Sequence, residues 1–185
     1  MDNKNSPSKS NKKNTARDYV ISILLAVIIA LAFRTYVFAR ADVDGESMMS
    51  TLHDKDVIFV EKLSLLTHSI KRGQIIIFNS HNSADDIYVK RVIAVAGDEI
   101  EIKDGKVFLN GSELNESYLD SNTITTPGPF MKNNAIYKVE KDHVFVLGDN
   151  REDSIDSRIL GPINIKDIKG HAIIRVYPFS RITIF

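Results

Sequence analysis

The 185-residue chain has no cysteine, which rules out a disulfide framework, a thiolate nucleophile and a cysteine-based zinc site. It also lacks any surplus of charge, with 24 basic residues against 24 acidic ones. Without a basic field, and with aromatic residues not interleaved among basic clusters, it has no surface for gripping phosphates and stacking bases, so nucleic acid is not an expected partner. No HExxH-like or clustered ligand spacing is present to hold a metal, no cofactor is implied, and no internal repeat or βαβ alternation is visible.

One long apolar run is present. From Tyr19 to Phe38 the chain reads YVISILLAVIIALAFRTYVF, interrupted by one charge, Arg34. At about 1.5 Å per helical residue such a run spans the roughly 30 Å hydrocarbon layer. Arg34 can reach the far interface, where Tyr36 and Phe38 also fit. Two other readings stay open, a buried core helix and a cleaved secretory signal, since Val20 to Phe33 fits a signal's apolar centre and Ala39-Arg40-Ala41 offers a weak cleavage site. The bulky, charged Arg34-Thr35-Tyr36-Val37-Phe38 favours a retained anchor. Residues 1–18 hold five basic residues against two acidic ones. That tail is expected to be unstructured through Asn14 and cytoplasmic, with residues 39–185 on the outer side of the cell membrane.

Beyond Ala39 the pattern changes to short Val-, Ile- and Phe-rich runs separated by turn residues: Asp56 to Lys62, Gln74 to Phe78, Tyr88 to Ala96, Glu99 to Ile102, Lys106 to Leu109, Ile136 to Val139, His143 to Leu147 and His171 to Tyr177. β-branched enrichment without a long helical period predicts a mainly β, antiparallel domain. Asp104-Gly105 between two such runs is a two-residue hairpin signal, and Asn110-Gly111 marks a second turn. Ser112 to Asn134, rich in polar residues and broken by Pro127-Gly128-Pro129, reads as an exposed excursion or small inserted lobe. The closing segment Pro178 to Phe185 alternates as a final strand does, and a position against lipid is the alternative.

Three segments carry candidate chemistry. Ser47 follows Asp44-Gly45, a pair suited to a tight turn that exposes a hydroxyl beside backbone N–H groups. Lys90 lies in the apolar run Ile87 to Ala96, where alternation puts Tyr88, Lys90, Val92 and Ala94 on one face and Val89, Arg91 and Ile93 on the other. Either Lys90 or Arg91 therefore shares a largely apolar face. Desolvation by about 3 kcal/mol brings a lysine pKa from about 10.4 to roughly 8, where the amine can serve as a base; the plainer reading is an edge lysine that discourages strand association. The third segment, Gly148 to Arg158, is a dense polar stretch after an apolar strand, with Ser154 available to orient Lys90 and Asp156 to hold Arg158. The five histidines, at 53, 68, 81, 143 and 171, leave a Ser-His-Asp arrangement formally open, though none has a comparably distinctive context.

The blocks GESMMSTL, RGQIIIF, YVKRVIAVAGD and GDNREDSIDSR, in this order behind an N-terminal anchor, resemble the bacterial type I signal peptidases, the membrane-bound Ser/Lys endopeptidases that remove signal peptides from exported proteins. The resemblance implies Ser47 as nucleophile and Lys90 as general base, with Ser154 hydrogen-bonded to the lysine. It also implies the Ser47 N–H as an oxyanion donor, Asp149 with Arg91 and Asp156 with Arg158 as bracing ion pairs, and a preference for small substrate residues at positions −1 and −3. Val43, Met48, Tyr88 and Val89 are the expected walls of those pockets, and signal peptides of secreted preproteins the expected substrates. Two positions depart from the usual pattern: Ser50 stands where a proline is common, and Gly45 where some members carry a serine, as in the smaller Gram-positive form. Ser47 follows Phe38 by nine residues, so at up to ~3.5 Å each it stays close to the lipid surface. Two other classes remain: a noncatalytic, membrane-tethered β module, and a self-cleaving repressor-type protease, although no DNA-binding head is present.

Overall fold

The structure, a computed structural model, describes residues 12–66, 70–80 and 86–185, with the side chains of residues 12–15 and 32–36 outside the description. The chain divides into two compact units, the second beginning at Phe38.

The first unit is the helix α1, Lys12–Tyr36. It starts earlier than the apolar run, so Lys12 to Asn14 are helical rather than unstructured. Lengthening a formed helix fixes one residue per hydrogen bond, which is far less costly than nucleating one. Its described apolar side chains are exposed, among them Ile23 at 63% and Ile28 at 62%. Among the described residues no helix is long and apolar enough to cross a membrane. The expected span over 19–38 includes side chains outside the description, Arg34 and Tyr36 among them, and the tail through residue 11 also lies outside the described residues.

The second unit is mainly β. Its strands are β1 (Phe38–Asp42), β2 (Val57–Glu61), β3 (Ile75–Asn79), β4 (Ile87–Val95), β5 (Glu99–Lys103), β6 (Lys106–Leu109), β7 (Ser112–Glu113), β8 (Ile136–Lys138), β9 (His143–Leu147), β10 (Ile163–Asn164), β11 (Ile168–Tyr177) and β12 (Thr183–Ile184). Two short α-helices, α2 (Leu63–Leu66) and α3 (Ser157–Leu160), and two 3-10 turns, Ile165–Asp167 and Phe179–Arg181, complete the described residues. One sheet runs β1-β2-β11-β3-β4-β9-β10 with β12 added beside β11, and a smaller one runs β7-β6-β5-β8. Every pairing is antiparallel. Phe38, counted as the end of the apolar run, is the first residue of β1 and pairs with Glu61.

The unbroken apolar runs belong to strands buried on both faces. Ile75 and Ile77 of β3 pack with Val43, Met48, Leu52, Ile58 and Val60, while Ile76 and Phe78 pack with Val92, Val144 and Val146 on the opposite face. In β9, Phe145 and Leu147 turn away from Val144 and Val146 and join Ile100, Ile102, Val107 and Met131 in a third cluster. Alternation in β4 holds from Tyr88 to Val92. A register shift between Val92 and Ala94 then lets Ile93 and Ala94 enter the same cluster. The inserted lobe thus begins at β5 and shares its core with β4 and β9.

Asp104 and Gly105 both have positive φ, 51° and 78°, the geometry a two-residue hairpin requires and glycine allows without strain. The excursion from Ser112 is largely exposed, as expected, but pinned at two points. Thr125 and Met131 are buried at 2% and 1% exposure, and the amides of Phe130 and Met131 both donate to the Arg158 carbonyl. Apolar and charge-paired anchors scattered among polar residues hold it down, and no local spacing announces them.

Candidate active site

Ser47 lies in the β1–β2 connection, residues 43–56, which folds under itself: Met48 and Leu52 are buried, and Val43 and Asp56 join its two ends through Val43 N–H to the Asp56 carbonyl at 2.8 Å. Burying Met48, on the order of 1.5–3 kcal/mol, pins the residue after Ser47 in the core and leaves the serine at the surface of the turn. Gly45 N–H donates to Asp54 Oδ1 at 3.0 Å. Among the described residues the Ser47 N–H donates no hydrogen bond.

Lys90 comes from β4, paired with Ile76 of β3, and is only 3% exposed. Its Nζ lies 2.7 Å from Ser47 Oγ and 3.0 Å from the Val89 carbonyl, with the Tyr88 ring centroid at 5.2 Å. Burial pushes the amine down from its ordinary value of 10.5 to about 8, against the pull of Asp156 and Asp149, which favour the charged form. A hydroxyl in contact with such an amine has a proton acceptor at hand once the amine is neutral.

Two ion pairs flank this contact. Arg91, the next residue of β4, clasps both oxygens of the buried Asp149 at 2.9 and 2.7 Å and also reaches Thr51 Oγ1. Arg158 meets both oxygens of Asp156 at 2.8 Å, and Asp156 further accepts from Gly148 N–H at 3.0 Å and from Arg158 N–H as the N-cap of α3. The Ser154 hydroxyl departs from expectation: buried, it makes no hydrogen bond among the described residues, and the expected bond to Lys90 is absent. It packs against Gly148 instead, in space that a Cβ there would occupy.

A cleft of about 650 Å³ opens beside Ser47 and Lys90. Val43, Met48, Tyr88 and Val89 all line it, with Ala41, Ile77, Ile87 and Ile155. Met48 contributes from within the core, at 1% exposure. The cleft runs between the chain leaving β1 and the start of β4, so an extended peptide has backbone on either side. Of the histidines, 68 and 81 lie outside the described residues; His53 faces Arg181, and His171 faces Ser64 and Glu61.

Two neighbours went unassigned in the sequence. Asn150 donates its N–H to the Ser47 carbonyl at 3.0 Å and its Nδ2 to the Glu46 carbonyl at 3.2 Å. Arg151, with a fully buried side chain, pairs with Glu116 and donates to the Gly148 carbonyl and Thr125 Oγ1. Their presence in the GDNR block was the available signal; their partners, far away in the chain, were not.

A serine hydroxyl set against a buried amine, on a mainly antiparallel β domain, is an arrangement that a serine hydrolase can use. Comparison with known proteins gives the family: residues 16–177 match the family described as signal peptidase, peptidase S26, and the chain belongs to it, as a serine peptidase. It is 37% identical to signal peptidase I of Bacillus amyloliquefaciens, over 97% of each chain. It is 40% identical to signal peptidase I P of Bacillus subtilis subsp. natto, over 91% of this chain and 92% of that one. A solved signal peptidase I from Enterococcus faecalis V583 matches at 28% identity with a TM-score of 0.47, over 56% of this chain and 96% of its own.

Proposed function

We propose that this chain is a membrane-anchored endopeptidase that removes N-terminal signal peptides from exported preproteins with Ser47 as nucleophile and Lys90 as general base. The observation that carries the reading is the 2.7 Å contact between Ser47 Oγ and a buried Lys90 Nζ. In the neutral state the serine hydroxyl donates to Nζ. As Oγ attacks the scissile carbonyl, Lys90 takes the proton, then returns it to the leaving amine, and the acyl-enzyme is hydrolysed by water activated by the same amine. Negative charge on the carbonyl oxygen is met by the free Ser47 N–H. The ion pairs Arg91–Asp149 and Arg158–Asp156 hold the segments on either side, while Val43, Tyr88 and Val89 with the underlying Met48 form shallow walls suited to small side chains at −1 and −3.

The anchor is the helical part of the run 19–38, ending with α1 at Tyr36 because Phe38 belongs to β1, with the N-terminus in the cytoplasm and the β unit outside. The length and continuity of the apolar run support this, as does a helix with apolar side chains exposed around it, a pattern at home in lipid. The test is mass spectrometry of the products formed from a preprotein by the wild type, Ser47→Ala and Lys90→Ala. Cleavage at one site by the wild type and its loss, by a factor on the order of 10²–10⁴, in Lys90→Ala is expected. Unchanged processing by Lys90→Ala excludes it as the base, and an inactive wild type points to a noncatalytic tethered module.

A further inference from the structure

The inserted lobe reaches the nucleophile segment by two routes that proton transfer between Ser47 and Lys90 does not itself require. Along the first, the Ser50 hydroxyl donates to the Tyr118 carbonyl at 3.3 Å, so the residue standing in the usual proline position is tied to the lobe. The Tyr118 ring also lies 3.9 Å from the guanidinium carbon of Arg91, the residue that grips Asp149 and Thr51. Along the second, Glu116 accepts from both terminal nitrogens of Arg151 and from the Tyr118 hydroxyl, the latter at 2.6 Å. Arg151 Nε in turn holds the Gly148 carbonyl at 3.0 Å. Between Gly148 and Arg151 lies Asn150, whose two donors hold the carbonyls of Glu46 and Ser47.

We propose that Glu116 is a positioning residue for the Ser47–Lys90 pair, acting through Arg151 and Asn150 as a latch between the lobe and the nucleophile turn. The physical ground is that the Arg151 side chain is fully buried, so its charge has one acceptable position, against a carboxylate, and the loop that carries it is fixed by that requirement. Fixing residues 148–151 fixes the acceptor geometry of the Ser47 carbonyl, and with it the direction in which the serine hydroxyl faces the amine. The inference rests on the reading of Ser47 and Lys90 given above.

The experiment uses the full chain in detergent with a preprotein substrate and compares wild type, Glu116→Gln, Glu116→Asp, Tyr118→Phe and, as a control in the same lobe, Glu113→Gln, whose exposed pair with Lys106 shares no hydrogen bond with this network. A nucleophile displaced by about 1 Å loses on the order of 10²-fold in rate. The expected result is a fall in kcat of about 10- to 100-fold for Glu116→Gln with KM within about twofold, restoration of at least a third of the wild-type kcat by Glu116→Asp, and no change for Glu113→Gln. Tyr118→Phe removes one hydrogen bond and no ion pair. If Glu116→Gln does not fold, as judged by its thermal melt, a loss of about threefold in kcat by a normally melting Tyr118→Phe supports the latch and a wild-type kcat overturns it. A folded Glu116→Gln with wild-type kcat overturns it as well. If Ser47→Ala still cleaves, it is the nucleophile assignment that fails; if Ser47→Ala is inactive while Glu116→Gln matches the wild type, only the latch does.

Discussion

At the scale of single residues, chemistry and stability pull Lys90 in opposite directions. The fold holds its pKa at about 8 rather than 10.5, and at ~1.4 kcal/mol per pH unit that difference costs about 3 kcal/mol whenever the buried amine is charged. Below pH 8 both the folded and the unfolded chain carry the proton, so the cost is borne in full. Between pH 8 and 10.5 only the unfolded chain holds it, and stability rises with pH across that window. Lys90→Met is therefore expected to be inactive yet more stable than the wild type at pH 7, by up to about 3 kcal/mol, with the advantage shrinking between pH 8 and 10.5. Thermal melts at pH 7 and pH 10 check this, and a variant less stable than wild type at pH 7 contradicts the depressed pKa. On the proposed mechanism the same proton sets the rate profile. Only about one molecule in ten has a neutral Lys90 at pH 7, so kcat/KM is expected to climb about tenfold per pH unit toward pH 8 and then level off; a profile flat from pH 6 to 8 rules out Lys90 as the titrating base.

At the scale of elements, the site is built where the β1–β2 turn, strand β4 and the loop after β9 meet, and Gly148 is the tightest point of that junction. A Cβ there would intrude on both the Ser154 hydroxyl and the Ser47 carbonyl, so Gly148→Ala has to move the Ser47 segment or the loop. Its kcat is expected to fall on the order of 10²-fold with a much smaller change in KM. Steady-state kinetics on a folded variant decide it, and a wild-type kcat means that the junction tolerates movement. How legible these elements were differs by cause. Strands β3 and β9 announced themselves by unbroken apolar runs because both faces are buried, and the β5–β6 hairpin by Asp104-Gly105, since a two-residue turn is determined locally. The strand β1 did not: only Ala39 and Ala41 turn toward the core, packed beside Val43 and Val60, and its identity comes from pairing with β2. Lys90 and Ser47 stood out as a charge in an apolar strand and a serine after a turn glycine. The contact of Arg151 with Glu116, 35 residues apart, and the isolation of the Ser154 hydroxyl arise from how two loops fold together, which spacing along the chain does not encode.

At the scale of the whole molecule, the proposed anchor and the proposed chemistry fall in different units. The three apolar clusters of the second unit draw on residues from Ala39 onward, and so do Ser47, Lys90 and both flanking ion pairs. Residues 38–185 alone are thus expected to fold with the site intact and to cleave a short soluble peptide within about threefold of the full chain, since no group contacting the reacting atoms has been removed. A preprotein whose signal sequence is still inserted in a vesicle is a different substrate. Its cleavage site is confined near the lipid surface, and Ser47 follows Phe38 by nine residues, a reach of at most roughly 30 Å. An enzyme anchored in the same bilayer meets that site at an effective concentration on the order of millimolar, which a freely diffusing domain at micromolar concentration does not match. Removing residues 1–37 is expected to slow processing in vesicles by about 10²-fold or more while sparing the soluble peptide. Equal rates on both substrates would show that the apolar run contributes no positioning, whereas loss of activity on the soluble peptide as well would show that the first unit is needed to build the site.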